Sequence, residues 1–250
     1  MKIYSGLTSV TFRQLTPDEI IDLAVQAGLD GIEWGGDVHV PPGDTALAEK
    51  IGERTRAAGL QVLSYGSYYR AGAEEDGIEI LETASALGAP HVRIWAGAVN
   101  APDMTEENWT ALAAQIRQFC KDAERYGIGV STEYHNNTAT SNIGSTIRLL
   151  DMIPNENFFS YFQPDNRCTD AENLENLKKI LPRVSNLHVF HWKSWTERFA
   201  LSEGEKAWLP YLQAYAEKQD GACIMEFVKD DSPQQFMEDA ATLNQWIATL

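Results

Sequence analysis

The stretch TPDEIIDLAVQAGLDGIEW, residues 16–34, contains in order a helix start, a helix, a helix stop and a strand. Thr16 is followed by a proline and, three positions on, by Glu19, which is the capping-box pattern that begins a helix. Apolar residues then recur at helical spacing, and Gly28 stands where such a helix would end. The run GIEW, residues 31–34, is typical of a buried strand. The stretch therefore predicts one helix followed by one strand.

The same alternation recurs about eight times along the 250 residues. Because each crossover between parallel strands needs a helix, strict alternation predicts a parallel sheet. Eight such units predict a single α/β domain over residues 1–250, a closed (β/α)₈ TIM barrel. An open doubly wound sheet is the alternative, but the glycine-rich first turn it usually carries is missing from SGLTSVTF, residues 5–12. The strand candidates are residues 2–5, 31–34, 60–65, 91–95, 128–133, 158–163, 186–192 and 223–227.

Composition excludes several classes of partner. The formal net charge of −16 repels phosphate backbones, so no nucleic-acid partner is expected. No apolar run approaches the roughly 20 residues of a membrane-spanning helix, and the first residues lack the pattern of a signal peptide. The three cysteines are widely spaced and suit reduced thiols, which predicts a cytoplasmic location. The sequence does not fix the oligomeric state, and a homo-oligomer is compatible with it.

In a barrel of this kind the chemistry is expected at the carboxyl ends of the strands. Glu133, His188 and Glu226 stand at such ends, and the sixth predicted strand ends in QPDN, residues 163–166. Taken singly, each has an ordinary explanation as a solvated loop residue or a hydrogen-bonded histidine. Together they come from neighbouring strands, and gathered carboxylates repel one another unless a cation lies between them. A mixed set of oxygen and nitrogen ligands suits Mn²⁺, Mg²⁺ or Co²⁺, and Zn²⁺ is also compatible with it.

Basic and aromatic residues accompany these groups. Arg93 could pair with a buried carboxylate of the barrel or bind a substrate oxygen, and the sequence does not decide between the two. Trp34, Trp95 and Trp192 could pack in the core or form flat walls against the C–H faces of a sugar. His188 and His191 have opposite parity, so a regular strand can point only one of them at the barrel axis.

At these residues the chain resembles the sugar phosphate isomerase/epimerase family, the xylose isomerase-like barrels that also include endonuclease IV. The stretches that carry the resemblance are spread over most of the chain: GLDGIEWGGDVHV (28–40), HVRIWAG (91–97), STEYHNNT (131–138), YFQPDN (161–166), NLHVFHWK (186–193) and IMEFVKDD (224–231). The resemblance implies a divalent metal with ligands from strands five to eight, at positions that match Glu133, Gln163, His188 and Glu226. The sixth strand departs from the pattern, because Gln163 and Asn166 stand where relatives tend to have an aspartate and a histidine. A neutral amide is a weaker ligand than a carboxylate, so we expect lower metal affinity, and loss of the metal in this branch remains an alternative.

The resemblance also implies an activity. Isomerases and epimerases of the family use the two glutamates, here Glu133 and Glu226, to move a proton through an ene-diolate. The residues expected to bind a small sugar or sugar derivative are Trp34, His39, Arg93, His135, Asn166, Trp192 and Lys193. A dehydratase or lyase would use the same enolising site. A metal-poor sugar-binding protein would keep the binding cavity at the end of the barrel but would not catalyse a reaction. An endonuclease is disfavoured by the five histidines and the negative charge.

Overall fold

The computed structural model of the chain describes residues 2–72, 77–217 and 220–250. Its barrel strands are β1 (Ile3–Thr8), β2 (Gly31–Gly35), β3 (Gln61–Arg70), β4 (His91–Trp95), β5 (Gly129–Thr132), β6 (Phe158–Phe162), β7 (Val184–Val189) and β10 (Gly221–Met225). They pair in parallel in this order around a closed barrel, with β10 next to β1. The predicted (β/α)₈ barrel is thereby confirmed.

The strands are separated by helices that begin and end at the signals in the sequence. The helices are α1 (Pro17–Gln26), α2 (Thr45–Ala57), α3 (Gly77–Leu87), α4 (Glu106–Glu124), α5 (Ile143–Met152), α6 (Asp170–Ile180), α7 (Glu205–Ala216) and α8 (Pro233–Ile247). Thr16 forms the predicted capping box, Thr169 forms a second one at the start of α6, and Ser232 accepts from the backbone N–H of Gln235 at the start of α8. Gly28, which was predicted to stop α1, and the glycines at positions 59, 88 and 127, which follow α2, α3 and α4, all have positive φ, which explains the choice of glycine there.

The strand prediction was wrong at the seventh strand, where a single strand was expected over residues 186–192. β7 ends at Val189, and the chain then folds back as a two-stranded hairpin of β8 (Trp192–Ser194) and β9 (Glu197–Arg198). The N–H of Phe199 donates to the carbonyl of His191 and so ties the hairpin at its base. The run VFHW, residues 189–192, is rich in residues of high strand propensity and fits either arrangement, because propensity does not show where pairing changes partner.

The hydrophobic core extends between the barrel and the surrounding helices. Phe162 of β6 packs edge to face on Tyr211 of α7, and Phe12 packs in the same way on Phe236 of α8. The largest buried side chains include Trp34, Trp208 and Tyr215. Among the described residues, no helix combines the length and the apolar character needed to cross a membrane.

Candidate active site

Five charged side chains from five strands meet at the carboxyl end of the barrel. Glu33 lies on β2, Arg93 on β4 and His188 on β7, whereas Glu133 and Glu226 directly follow β5 and β10. We call these five residues the charged cluster. Glu33, Arg93, Glu133 and His188 are buried, and the side chain of Glu226 is 15% exposed. Charges removed from water are tolerated only when they are paired, so the arrangement of the five groups is tightly determined.

His188 lies at the centre of the charged cluster. Its Nε2 is 3.2 Å from Oε1 of Glu33, which is within hydrogen-bonding distance. Its Nδ1 is 3.6 Å from Oε2 of Glu133 and 3.6 Å from Oε2 of Glu226. The two ring nitrogens therefore differ. Nε2 is within hydrogen-bonding distance of Glu33, whereas Nδ1 faces two carboxylates without forming a hydrogen bond.

Glu33 is held by donors on its second oxygen. The hydroxyl of Ser64 donates to Oε2 at 2.6 Å, and the phenol of Tyr161 donates to the same atom at 2.7 Å. The ring of Tyr161 also packs edge to face against His188, with 5.0 Å between the ring centroids. Both the carboxylate and the imidazole it contacts are fixed from more than one side.

Arg93 pairs with a carboxylate of the cluster, which was one of the two roles open to it in the sequence. Its Nε lies 3.3 Å from Oε2 of Glu133, and one terminal N–H donates to the carbonyl of Ser67 at 2.8 Å. Its guanidinium lies 4.3 Å from the ring centroid of Trp95 and 5.2 Å from that of Tyr68. The guanidinium of Arg93 is thus held by an ion pair with Glu133 and by contacts with two aromatic rings.

The pKa values of the cluster are pushed apart by these contacts. Burial raises the pKa of Glu33, but the charges of His188 and Arg93 outweigh it and hold that pKa at about 2. Burial raises the pKa of Glu226 to about 7, with further repulsion from Glu133 and Glu33 against attraction by His188 and Arg93. Burial lowers the pKa of His188, but the surrounding carboxylates, Glu226 first, raise it to about 9. Two neighbouring carboxylates, one with a lowered pKa and one with a raised pKa, are the arrangement from which separate acid and base roles arise in enzymes.

Three of the four residues expected to bind a metal have a buried polar atom without a hydrogen-bond partner. These atoms are Oε2 of Glu133, Oε1 of Gln163 and Nδ1 of His188. Gln163 donates through its Nε2 to the carbonyl of Tyr134, which leaves its amide oxygen available to a cation. Within residues 2–72, 77–217 and 220–250, no three His, Cys, Asp or Glu side chains already form a metal site. The unpartnered atoms are nevertheless the oxygen and imidazole donors that a divalent cation takes, so the residues fit such a group.

A cavity of about 260 Å³ is lined by Gln163 and by several of the predicted sugar-binding residues. His135, Asn166 and Trp192 line it, together with Phe190, on which Trp192 stacks at 3.8 Å between ring centroids. His135 also packs on Trp95 at 4.2 Å and so links the cavity wall to the aromatic face over Arg93. Aromatic faces with a few polar groups are the usual lining of a small-molecule site.

Three predicted sugar-binding residues lie away from the charged cluster in this structure. Trp34 is fully buried and donates through its indole N–H to Thr55 of α2, because its parity on β2 is opposite to that of Glu33. His39 is buried, and its two ring nitrogens lie within hydrogen-bonding distance of Ser9 and of the carbonyl of Leu15. Lys193 is largely exposed on the hairpin and pairs with Glu197. The placement of Trp34 and His39 gives no support to a role in substrate binding, whereas Lys193 lines a cavity of about 250 Å³ together with Asn166 and Trp192.

Glu33, Ser64 and Tyr161 were not among the predicted site residues. The signal for Glu33 was present in the sequence, since a carboxylate stands between Ile32 and Trp34 inside an apolar strand. No sequence signal identifies Ser64 or Tyr161, because their common partner is 31 residues from the first and 128 from the second.

Comparison with known proteins gives one family. A family model described as Xylose isomerase-like TIM barrel matches residues 21–246. No curated protein matches the chain.

Solved structures similar to this chain cover nearly its whole length. The probable 3-DHS dehydratase AsbF from Bacillus anthracis has a TM-score of 0.80 at 16% identity, over 97% of this chain and 99% of that one. D-allulose 3-epimerase from Methylomonas sp. has a TM-score of 0.70 at 14% identity, over 98% of each chain. 3-Keto-D-glucoside 4-epimerase from E. coli has a TM-score of 0.68 at 15% identity, over 100% of each chain. At such low identity these similarities establish the fold that the proteins share.

Proposed function

Because the chain belongs to the xylose isomerase-like TIM barrel family, we propose that it is an isomerase or epimerase of a small sugar or sugar derivative. The observation that carries the proposal is the approach of Glu133 and Glu226 to one atom, Nδ1 of His188, at 3.6 Å each. Side chains 93 positions apart in sequence thus face the same point, as two carboxylates that share a substrate must. The dehydratase and the two sugar epimerases of the same fold support this class of chemistry.

Proton transfer is the step that the charged cluster is suited to perform. In the protein without a cation, burial raises the pKa of Glu226 to about 7, which suits a group that accepts and returns a proton near neutral pH. We infer that one glutamate removes the proton from the carbon beside the sugar carbonyl, which gives an ene-diolate. The same or the opposite glutamate then returns a proton, to the neighbouring carbon for an isomer or to the other face of the same carbon for an epimer.

A divalent cation fits this scheme, with Glu133, Gln163, His188 and Glu226 as the residues that would hold it. When bound, it would polarise the sugar carbonyl and hydroxyl oxygens and so acidify the adjoining C–H bond. The protein's own contribution is to orient the sugar. We propose that His135, Asn166 and Trp192 do so from the cavity wall, and that Arg93 contributes by fixing Glu133.

Deuterium exchange tests this function. Purified protein is incubated in deuterated water with each of a panel of ketoses, with Mn²⁺, Mg²⁺ or Co²⁺ or with a chelator, and the sugars are followed by NMR. We expect deuterium at one carbon of at least one ketose, together with a new isomer or epimer, only with a metal present. Absence of exchange into every sugar under all metal conditions would contradict an enolising enzyme.

A metal-poor sugar-binding protein is the second candidate, because the charged cluster balances most of its charge without a metal. Three carboxylates face Arg93 and His188, and the pKa of His188, about 9, keeps it protonated at neutral pH. Elemental analysis and sugar-induced thermal shifts separate the two candidates. Stabilisation by a sugar without bound metal and without exchange would favour the binding protein.

A further inference from the structure

The contact between Glu33 and His188 has no role in the proposed proton transfer, yet it is the shortest contact that His188 makes to another charged group. Oε1 of Glu33 is 3.2 Å from Nε2, whereas the carboxylates on the opposite side of the ring are 3.6 Å from Nδ1. A lone pair on Nε2 would face an oxygen lone pair of Glu33, so Nε2 must carry a proton. A neutral His188 then presents its lone pair at Nδ1.

Glu33 is itself unable to turn. Its Oε2 accepts from both Ser64 and Tyr161, whereas its other oxygen, Oε1, is the atom that contacts His188. A carboxylate that accepts three hydrogen bonds inside the barrel is held ionised, in agreement with its low pKa. Tyr161 also packs on the imidazole ring, so the same residue restrains both partners.

We propose that Glu33 is a positioning residue that fixes the orientation and tautomer of His188, so that the ring offers Nδ1 to the space between Glu133 and Glu226. The chain of contacts runs from Ser64 and Tyr161 through Glu33 to His188. Without Glu33, the proton of a neutral ring moves to Nδ1, because the two carboxylates on that side are its remaining acceptors. The N–H would then point at the position where a cation is expected. The catalytic consequence rests on the proposed function, whereas the tautomer does not.

Nuclear magnetic resonance of the histidine ring tests the proposal without any activity. We would record ¹H–¹⁵N correlation spectra of the metal-free protein over a series of alkaline pH values, read the tautomer where the ring signals no longer change with pH, and assign these signals with His188→Gln. In the wild type we expect a protonated Nε2 and an unprotonated Nδ1. In Glu33→Gln we expect the proton to be shared with or moved to Nδ1, since an amide presents either a carbonyl or an NH₂ group to the ring. A protonated Nδ1 in the wild type, or identical spectra for the two proteins, would overturn the proposal.

Two further variants control for damage to the fold. Asp30→Asn alters another carboxylate, which accepts from the N–H and the hydroxyl of Ser5 just before β2, at the opposite end of the barrel from the cluster, and should leave the His188 signals unchanged. The double variant Ser64→Ala/Tyr161→Phe keeps Glu33 but removes its two donors, and should shift the His188 signals in the same direction as Glu33→Gln, to a smaller extent. If Glu33→Gln fails to fold, the double variant takes its place in the test. An unchanged His188 spectrum in the double variant would then overturn the proposal.

Metal affinity, measured by calorimetry with Mn²⁺, gives a second readout. Partners that orient a ligand histidine typically contribute about 10- to 100-fold, so we expect Glu33→Gln to weaken Mn²⁺ binding by that factor and Asp30→Asn to leave it unchanged. Equal affinity in the wild type and Glu33→Gln would count against the positioning role. If the wild type binds no Mn²⁺ and exchanges no sugar proton, the proposed function fails, and the ring spectra still decide whether Glu33 sets the tautomer.

Discussion

Glu133 and Glu226 both follow the end of a barrel strand, but different contacts hold them. Glu133 is buried in an ion pair with Arg93, whereas Glu226 is partly exposed and makes no ion pair with an arginine within the described residues. The sequence predicts that Glu133→Gln and Glu226→Gln both abolish turnover and leave the fold intact. The structure changes that expectation for Glu133, because its loss leaves Arg93 charged and buried.

We therefore predict that Glu226→Gln abolishes sugar exchange with little change in stability. Glu133→Gln should abolish exchange and also lower the free energy of unfolding by about 3–5 kcal/mol, the usual effect of breaking a buried ion pair. Urea unfolding and the deuterium assay measure both effects. Near-normal turnover in either variant would remove that glutamate from the proton-transfer scheme, and equal stability of the two variants would contradict the role of the ion pair.

Gln163 is the residue at which the chain departs from the family pattern, and its amide oxygen is buried without a partner. We predict that Gln163→Asp binds Mn²⁺ more tightly than the wild type, because a carboxylate replaces a neutral donor. Calorimetry of chelator-treated protein measures the difference, with Asp165→Asn as a control on the same loop. Unchanged affinity in Gln163→Asp would exclude Gln163 as a ligand.

At the scale of elements, the hairpin of β8 and β9 supports the loop that carries Glu226. Phe227 has a φ of 41°, a strained conformation for a bulky residue. Its N–H donates to the hydroxyl of Thr11, and its carbonyl accepts from the indole N–H of Trp192 at 2.9 Å. The hairpin, which the sequence did not predict, thus helps to fix the residue directly after Glu226.

We predict that Trp192→Phe lowers turnover and lowers the free energy of unfolding by about 1–2 kcal/mol, because the hydrogen bond that helps to hold Phe227 is lost. Trp195→Phe is the matched control, since Trp195 is on the same hairpin, packs on Phe227 and is 55% exposed. Chemical unfolding and kcat report the two effects. If Trp195→Phe has an equal effect on both, the hydrogen bond from Trp192 is not what orients this loop.

Close contact between α2 and α3 depends on a glycine. A methyl group at Gly52 would overlap the backbone carbonyl of Leu87, which cannot move without displacing the end of α3. Alanine is favoured over glycine in a helix by roughly 1 kcal/mol, but overpacking costs typically 1–3 kcal/mol, so we predict that Gly52→Ala lowers the melting temperature. Gly144→Ala in α5 has space for the methyl group and should not lower it. Equal melting temperatures for Gly52→Ala and the wild type would contradict the tight contact.

At the scale of the whole molecule, the charged cluster links stability to pH. In the metal-free protein the pKa of His188 is raised from its ordinary value of 6.5 to about 9 by the carboxylates around it. A raised pKa means that the folded protein binds the proton more tightly, so this contribution is fully present below pH 6.5 and is lost as the pH rises through 9. His39 and His91 have pKa values lowered by burial, so above pH 7 they are neutral in both states and contribute little.

Glu226, whose pKa is raised to about 7, has lost most of its proton by about pH 8. We therefore predict that metal-free protein loses stability between about pH 8 and pH 9 as His188 titrates, with a slope of up to about 1.4 kcal/mol per pH unit. The measurement is urea unfolding in a chelator at several pH values. His188→Gln should flatten the profile in this range. An equal slope in the wild type and the variant would mean that His188 is not the group that titrates.

Much of the fold could be predicted because its determinants are local. The caps at Thr16 and Thr169 and the glycines at positions 28, 59, 88 and 127 act on residues within one turn, so the sequence contains the complete signal. The end of β7 could not be predicted, because the change of partner from the barrel to the hairpin depends on Arg198, which pairs with Trp192 only after the chain folds back.

The sequence by itself determined the eightfold alternation and the functional residue types at the strand ends, because periodicity and termination are properties of neighbouring residues. Only the tertiary structure decided that Arg93 pairs with Glu133, that Trp34 faces the helices, and that Glu33 reaches His188 from a strand 155 positions away. Those pairings arise because barrel closure brings strands distant in the chain to one mouth, where buried charges must find partners across the ring.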